Sequence, residues 1–201
     1  MVGATIIWFI SLVNQSVGWD TSKITFCLEG IPMKDSTELQ PTPGWSRLSK
    51  HSIVKSMSAD PEVSRAINRL LISERIYRYG WAFDERDREG LGDCFTLEGI
   101  WEGSIMGITP AGPFNGRVAI VNWLTDFWKI QTDQRRHVFT NVIIDDLTDT
   151  EATVHAYLLL TASGNSTMTP VTVGPYRLSV VKEPDGVWRI SRLVGGWDAP
   201  F

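Results

Sequence analysis

The stretch "RRHVFTNVIIDD", residues 135–146, sets a histidine at the head of what reads as a buried strand. Histidine is the side chain suited to proton transfer near neutral pH, and a positioned general base is typically worth ~10²–10⁴-fold in rate. It works best when a carboxylate accepts from one ring nitrogen and leaves the other unprotonated towards substrate. The acidic run "FDERD" upstream, residues 83–87, offers such carboxylates, Asp84 among them. Each feature also has an ordinary explanation. A strand histidine is commonly hydrogen-bonded in a core, and a charge run at a helix end is commonly a solvated face. Strand alternation puts His137, Phe139, Asn141 and Ile143 on one side. An apolar face with one histidine and one asparagine suits a ligand pocket, and it suits a hydrogen-bonded core equally.

Other chemistries find little support. The three histidines, His51, His137 and His155, lie in no metal-binding spacing, and two cysteines, Cys27 and Cys94, cannot make a zinc site or a disulfide framework. A reducing, cytoplasmic setting is the expectation. There is no glycine-rich phosphate loop, dinucleotide fingerprint or nucleophile elbow, so neither metal nor organic cofactor is expected. With a net charge of −4 and a pI near 5.4, the chain offers no basic stripe for nucleic acid. Nine tryptophans suit a large apolar cavity or bulky core filling, and Trp101, Trp123 and Trp128 read as walls.

The elements that must position these residues begin after a change of texture. Residues 1–56 read as an extension, disordered or a non-native arm. Its opening "MVGATIIWFISLV" is too short to span a bilayer comfortably and lacks a basic leader, so no membrane partner is expected. The compact domain is expected over 57–201, with Met57 placed like a start codon. Ser58 or Asp60 can cap a helix, Pro61 fits its first turn and Glu62 complements its dipole. That helix runs to about Asp87. A short helix in "DREGLGDCFT", a strand at 99–105, a turn-rich loop "GITPAGPFNG" and a third helix in "GRVAIVNWLTDFWKIQ" follow. Long strands with hairpin connections at "TDT" and "PDG" complete the chain. Helices first and antiparallel strands last give an α+β class: a bent antiparallel sheet wrapped around helices as a cone.

The stretches "RYGWAFDERDREGLGDCFTLEGIWEG", "GRVAIVNWL", "RRHVFTNVIIDD" and "DGVWRISRL", in this order, resemble the SnoaL-like branch of the NTF2-like superfamily over about residues 60–198. Within it, the bile-acid dehydratase and hexachlorocyclohexane dehydrochlorinase types look closest. The resemblance implies that Asp84 and His137 form a catalytic pair. It implies Tyr79, five residues before the aspartate, as the pocket tyrosine, and Arg192 as a pocket arginine. Ideal helical geometry instead favours Tyr77, seven residues before Asp84, and that alternative stays open. Asn141, Trp101, Phe139 and Tyr157 are the remaining expected lining residues. His155 and Thr161 lie near the place of a further acidic residue that the dehydratase type carries.

The expected activity is therefore a cofactor-independent lyase or isomerase acting on a small hydrophobic, cyclic substrate. The competing reading is a non-catalytic binding or assembly subunit of the same fold. An exposed outer sheet face, apolar in strands such as "VHAYLLLTA", points to a homodimer or homotrimer.

Overall fold

The computed structural model describes residues 60–200. The extension expected over 1–56, and Met57 with it, lie outside the described residues. Helix α1, Pro61–Asp84, starts as its sequence dictates: the Asp60 side chain accepts from the Glu62 and Val63 main-chain N–H groups. Ile72, Ile76, Tyr79 and Phe83 recur at helical spacing and form its buried stripe. Helix α2, Arg88–Asp93, is a short turn that buries Leu91, with Cys94 and Phe95 buried just beyond it. Helix α3, Arg117–Asp126, continues into a 3₁₀ turn at Phe127–Lys129. It buries Ile120, Val121 and Leu124, whereas Val118 in its first turn is exposed.

Six strands make one sheet in the order β2-β1-β6-β5-β4-β3. They are β1 Phe95–Ile105, β2 Thr109–Asn115, β3 Gln134–Asp145, β4 Glu151–Gly164, β5 Thr167–Lys182 and β6 Trp188–Trp197. The sheet is mixed rather than antiparallel. β1 and β6 run parallel, because the β3–β6 meander returns its last strand alongside the first. The segment "GITPAGPFNG", expected as a loop, contains β2. Its prolines are tolerated because β2 is an edge strand, where missing N–H donors break no inner ladder.

Strict alternation governs β4. Ala152, Val154, Ala156, Leu158 and Leu160 face the core, while His155, Tyr157 and Leu159 face outward. Strand β3 breaks its own alternation. Its register with β4 shifts between Thr140 and Ile143, where Asn141 adopts φ 52°. This bulge turns Asn141 and Ile143 out and brings Ile144 in, so the face predicted from simple alternation ends at Phe139. The core lies between the inner sheet face and the helices, with α1 packed chiefly on β3.

Candidate active site

The end of α1 and the start of β3 are joined by successive side chains. Gln134 donates through Nε2 to the Asp84 carbonyl at 3.0 Å. Arg136 pairs with Glu85. His137 then meets Asp84 itself: ring Nδ1 lies 2.6 Å from Oδ1, and the His137 main-chain N–H donates to Oδ2 at 2.7 Å. Both carboxylate oxygens are thus engaged by one residue, which fixes the position and the ring orientation of the imidazole together. The two side chains are nearly buried, with 8% and 5% exposure. A buried carboxylate needs such full pairing, because leaving it unpaired costs several kcal/mol, roughly 3–5 when one partner is removed.

This close approach depends on Gly80. A Cβ there would stand 3.0 Å from the His137 Cβ and 3.2 Å from a Phe139 ring carbon, tighter than ordinary van der Waals contact. The absent side chain lets α1 lie against β3 at the height of the pair. Phe83 packs its ring edge against the imidazole at 4.9 Å between centroids, and Phe139 stacks beside it at 6.3 Å.

His137 lines a cavity of about 240 Å³ whose walls are mainly aromatic: Phe83, Trp101, Trp123, Phe127, Tyr176 and Trp197. With Nδ1 held by Asp84, Nε2 makes no hydrogen bond among the described residues, so it is the ring nitrogen available to the cavity. Tyr79 is buried and lines the same cavity, and its hydroxyl accepts from the Trp101 indole at 3.3 Å. Burial holds the Tyr79 hydroxyl well above the usual phenol range, so it stays a neutral donor. The open choice between two tyrosines falls to Tyr79, since Tyr77 is exposed. Tyr79 belongs to the Ile72–Ile76–Phe83 stripe, whereas Asp84 sits on its flank and reaches sideways to β3.

Of the other expected lining residues, Trp101 is in the wall. Phe139 is a core residue that backs the imidazole without lining the cavity. Arg192 is not a pocket arginine. Its β6 position points to the outer face, where it pairs with Glu102. Asn141 and Tyr157 also lie outside, the first turned out by the bulge and the second by the alternation of β4. They border a separate groove on the outer sheet face with His155 and Arg177. The cation that does line the cavity is Arg135, two residues before His137. It is clamped by Asp133 through Nε at 2.5 Å and Nη2 at 3.2 Å.

Sequence reading missed Gly80, Gln134, Arg135 and Tyr176. A lone glycine inside the helical run of α1 was a usable sign of close backbone approach. Tyr176 carried no such sign, since it enters the cavity from a strand far along the chain.

Helices enclosed by a bent mixed sheet, with a carboxylate–imidazole pair on an aromatic cavity, define a cystatin-like, NTF2-like α+β roll. Residues 64–194 match the model of the SnoaL-like domain, and the chain belongs to that family. Among solved structures it is similar to a protein of unknown function from Mycobacterium tuberculosis, at 22% identity and TM-score 0.61, over 71% of this chain and 78% of that one. It is similar to a Catenulispora acidiphila protein solved in complex with S-DNPA, at 27% identity and TM-score 0.57, over 66% and 94%. A Novosphingobium aromaticivorans protein provisionally assigned as a scytalone dehydratase matches at 23% identity and TM-score 0.51, over 64% and 83%. The search of curated proteins found no match. These likenesses bear on the fold. Among the described residues no helix is long and apolar enough to cross a membrane.

Proposed function

We propose that this protein is a cofactor-independent lyase or isomerase, of the dehydratase or dehydrohalogenase type, acting on a small hydrophobic ring compound. The observation that carries the reading is the double hold of Asp84 on the main-chain N–H and ring Nδ1 of His137 beside an aromatic cavity. His137 Nε2 takes a proton from a substrate carbon, and Asp84 stabilises the imidazolium that forms. The electron pair of the broken C–H bond becomes a new carbon–carbon double bond. In elimination, the group on the neighbouring carbon leaves with its own bonding pair, and Tyr79 protonates or hydrogen-bonds it. In isomerisation, a double bond already present beside the deprotonated carbon gives up its π pair, and the imidazolium returns the proton to the far carbon that receives this pair. The aromatic walls exclude water and accept flat, apolar rings.

A panel of cyclic hydroxy, halo and keto compounds, read by mass spectrometry for loss of water or hydrogen halide and by NMR for double-bond migration, tests the reading. Turnover of one compound that falls by about 10²-fold or more in His137→Ala supports it, on the scale of a lost general base. Near-normal turnover in His137→Ala overturns it. The second reading, a binding or assembly subunit, is favoured by the exposed apolar residues Val138, Leu159 and Val173 on the outer sheet face.

A further inference from the structure

Several arginines tie distant elements of this fold together. Arg75 reaches the Trp188 carbonyl, Arg86 the Gln131 carbonyl and Arg117 the Phe95 carbonyl, and Arg136 pairs with Glu85. Arg135 ties nothing across the fold. Its guanidinium is held by Asp133, two residues away in the same segment, through Nε at 2.5 Å and Nη2 at 3.2 Å. The remaining nitrogen, Nη1, has no hydrogen-bond partner among the described residues. The two side chains are still 19% and 29% exposed, and an ion pair so open to solvent adds little stability. Holding the fold together does not account for it.

Its place in the cavity does. Asp133 and Arg135 both belong to the lining, and besides the His137 imidazole they are its ionic side chains. Their charges cancel. Arg135 and His137 are two residues apart on β3 and share a face, roughly 6–7 Å apart along the strand. Ile130 and Thr132, exposed members of the same lining, mark the opening, whereas Trp101 and Tyr176 are buried in its depth. The cavity therefore has apolar walls and a rim that is polar without net charge, within reach of the base.

Ligand groups differ in how they answer such a rim. A carboxylate is costly to take out of water, and the guanidinium charge that would offset this is already balanced by Asp133. An ammonium has only protons to offer, and Nη1 offers protons too. A hydroxyl accepts from Nη1 and keeps its own proton for solvent at the opening, so it is fully paired and adds no charge. We propose that Arg135, screened by Asp133, is a specificity-determining donor for an uncharged hydroxyl, and that the substrate is an apolar ring compound carrying that hydroxyl rather than a ring acid. This rests on the proposed role of His137 and narrows its substrate. Asp133 orients the guanidinium and sets the sign of what it accepts.

Three probes share one ring: 4-nitrotoluene, 4-nitrobenzyl alcohol and 4-nitrobenzoate. Binding is read by quenching of the cavity tryptophans. The parent should bind the alcohol at least as tightly as 4-nitrotoluene and about tenfold or more tighter than the benzoate. A wholly apolar wall ranks the first two the other way, because a buried hydroxyl without a partner loses about tenfold. Asp133→Asn leaves the guanidinium unbalanced and should raise benzoate affinity about tenfold or more. The double variant Asp133→Asn, Arg135→Met keeps the rim neutral and removes the donor. It should weaken the alcohol about tenfold, the scale of one hydrogen bond to a charged group, and change 4-nitrotoluene less than about twofold. A parent that binds the benzoate most tightly would overturn the proposal, as would an Asp133→Asn protein that gains nothing for the benzoate. Equal loss of alcohol and 4-nitrotoluene in the double variant would make the pair part of the wall and overturn it too.

The base is read separately. For a hydroxylated compound that the protein turns over, the loss in the double variant should appear chiefly in KM. Turnover that needs His137 and ignores the pair sinks the hydroxyl site alone. Probe binding that follows the pair, with turnover indifferent to His137→Ala, sinks the base and leaves the hydroxyl site.

Discussion

The imidazole of His137 and the carboxylate of Asp84 are arranged as a single unit, because one residue supplies both hydrogen bonds to the other. Asp84→Asn keeps the shape but offers an amide that can donate, which permits the wrong tautomer. Turnover is expected to fall by about 10²–10⁴-fold in His137→Ala and in Asp84→Asn alike. The double variant should be little worse than the worse single, since parts of one unit are not additive. Cleanly multiplying losses in steady-state kinetics would mean that the two residues act separately. Gly80 makes a second test at this scale. Alanine is the better helix former by about 1 kcal/mol, yet its Cβ would press on His137. Gly80→Ala should lower kcat about tenfold while the melting temperature barely moves, a displacement of a few tenths of an ångström being felt at the reacting centre. A variant as active as the parent would show that this close contact does not position the imidazole.

Elements are held in place here by a few buried polar ties. Arg75 is buried on α1, and donates through Nε to the Trp188 carbonyl at the start of β6 at 2.7 Å and through Nη1 to the Asp93 carbonyl at the end of α2. Arg75→Met keeps the stem but strands those carbonyls. A loss of roughly 2–4 kcal/mol is expected, read as a lower urea midpoint at unchanged slope. A change below about 0.5 kcal/mol would mean that water replaces the guanidinium without cost. The sequence was most legible at this scale where local chemistry decides alone. The Asp60–Pro61–Glu62 start of α1, the alternation of β4 and the hairpin at "PDG" all follow from neighbours in the chain. It was least legible where distant partners decide. β2 hides behind its glycines and prolines and becomes a strand only because β1 pairs with it. The bulge at Asn141 depends on the register of β4, so the face read from simple alternation of β3 holds to Phe139 and fails beyond it. Arg192 followed a resemblance to a strand position whose side chain here faces out. Tyr176 reaches the cavity only through the pairing of β5 with β4 and β6, which no local pattern encodes.

For the molecule as a whole, two expectations follow from where apolar surface lies. Residues 57–201 carry every helix and strand described above, and a fragment of that length buries roughly 68–70% of its unfolded surface. It should unfold cooperatively by itself, and a broad, non-cooperative melt would show that the preceding residues belong to the fold. The outer sheet face leads to the last prediction. Val138 on β3 pairs with Leu159 on β4, which pairs with Val173 on β5, and all three side chains are exposed. Tyr157 and Ile143 extend the patch, 53% and 55% exposed. An apolar row across three adjacent strands, bordered by His155, Arg177 and the Arg192–Glu102 pair, has the composition of a contact surface. A second or third copy of the chain is the simplest cover, because a sheet face can pack on its own symmetry mate. The protein is expected to sediment as a dimer or trimer at micromolar concentration. Leu159→Lys should shift it to monomer. Its neighbours Leu158 and Leu160 face inward and line the cavity, so the same variant should bind 4-nitrotoluene as the parent does. A parent protein that sediments as a monomer would leave the apolar row without a partner copy, and the assembly reading would fail with it.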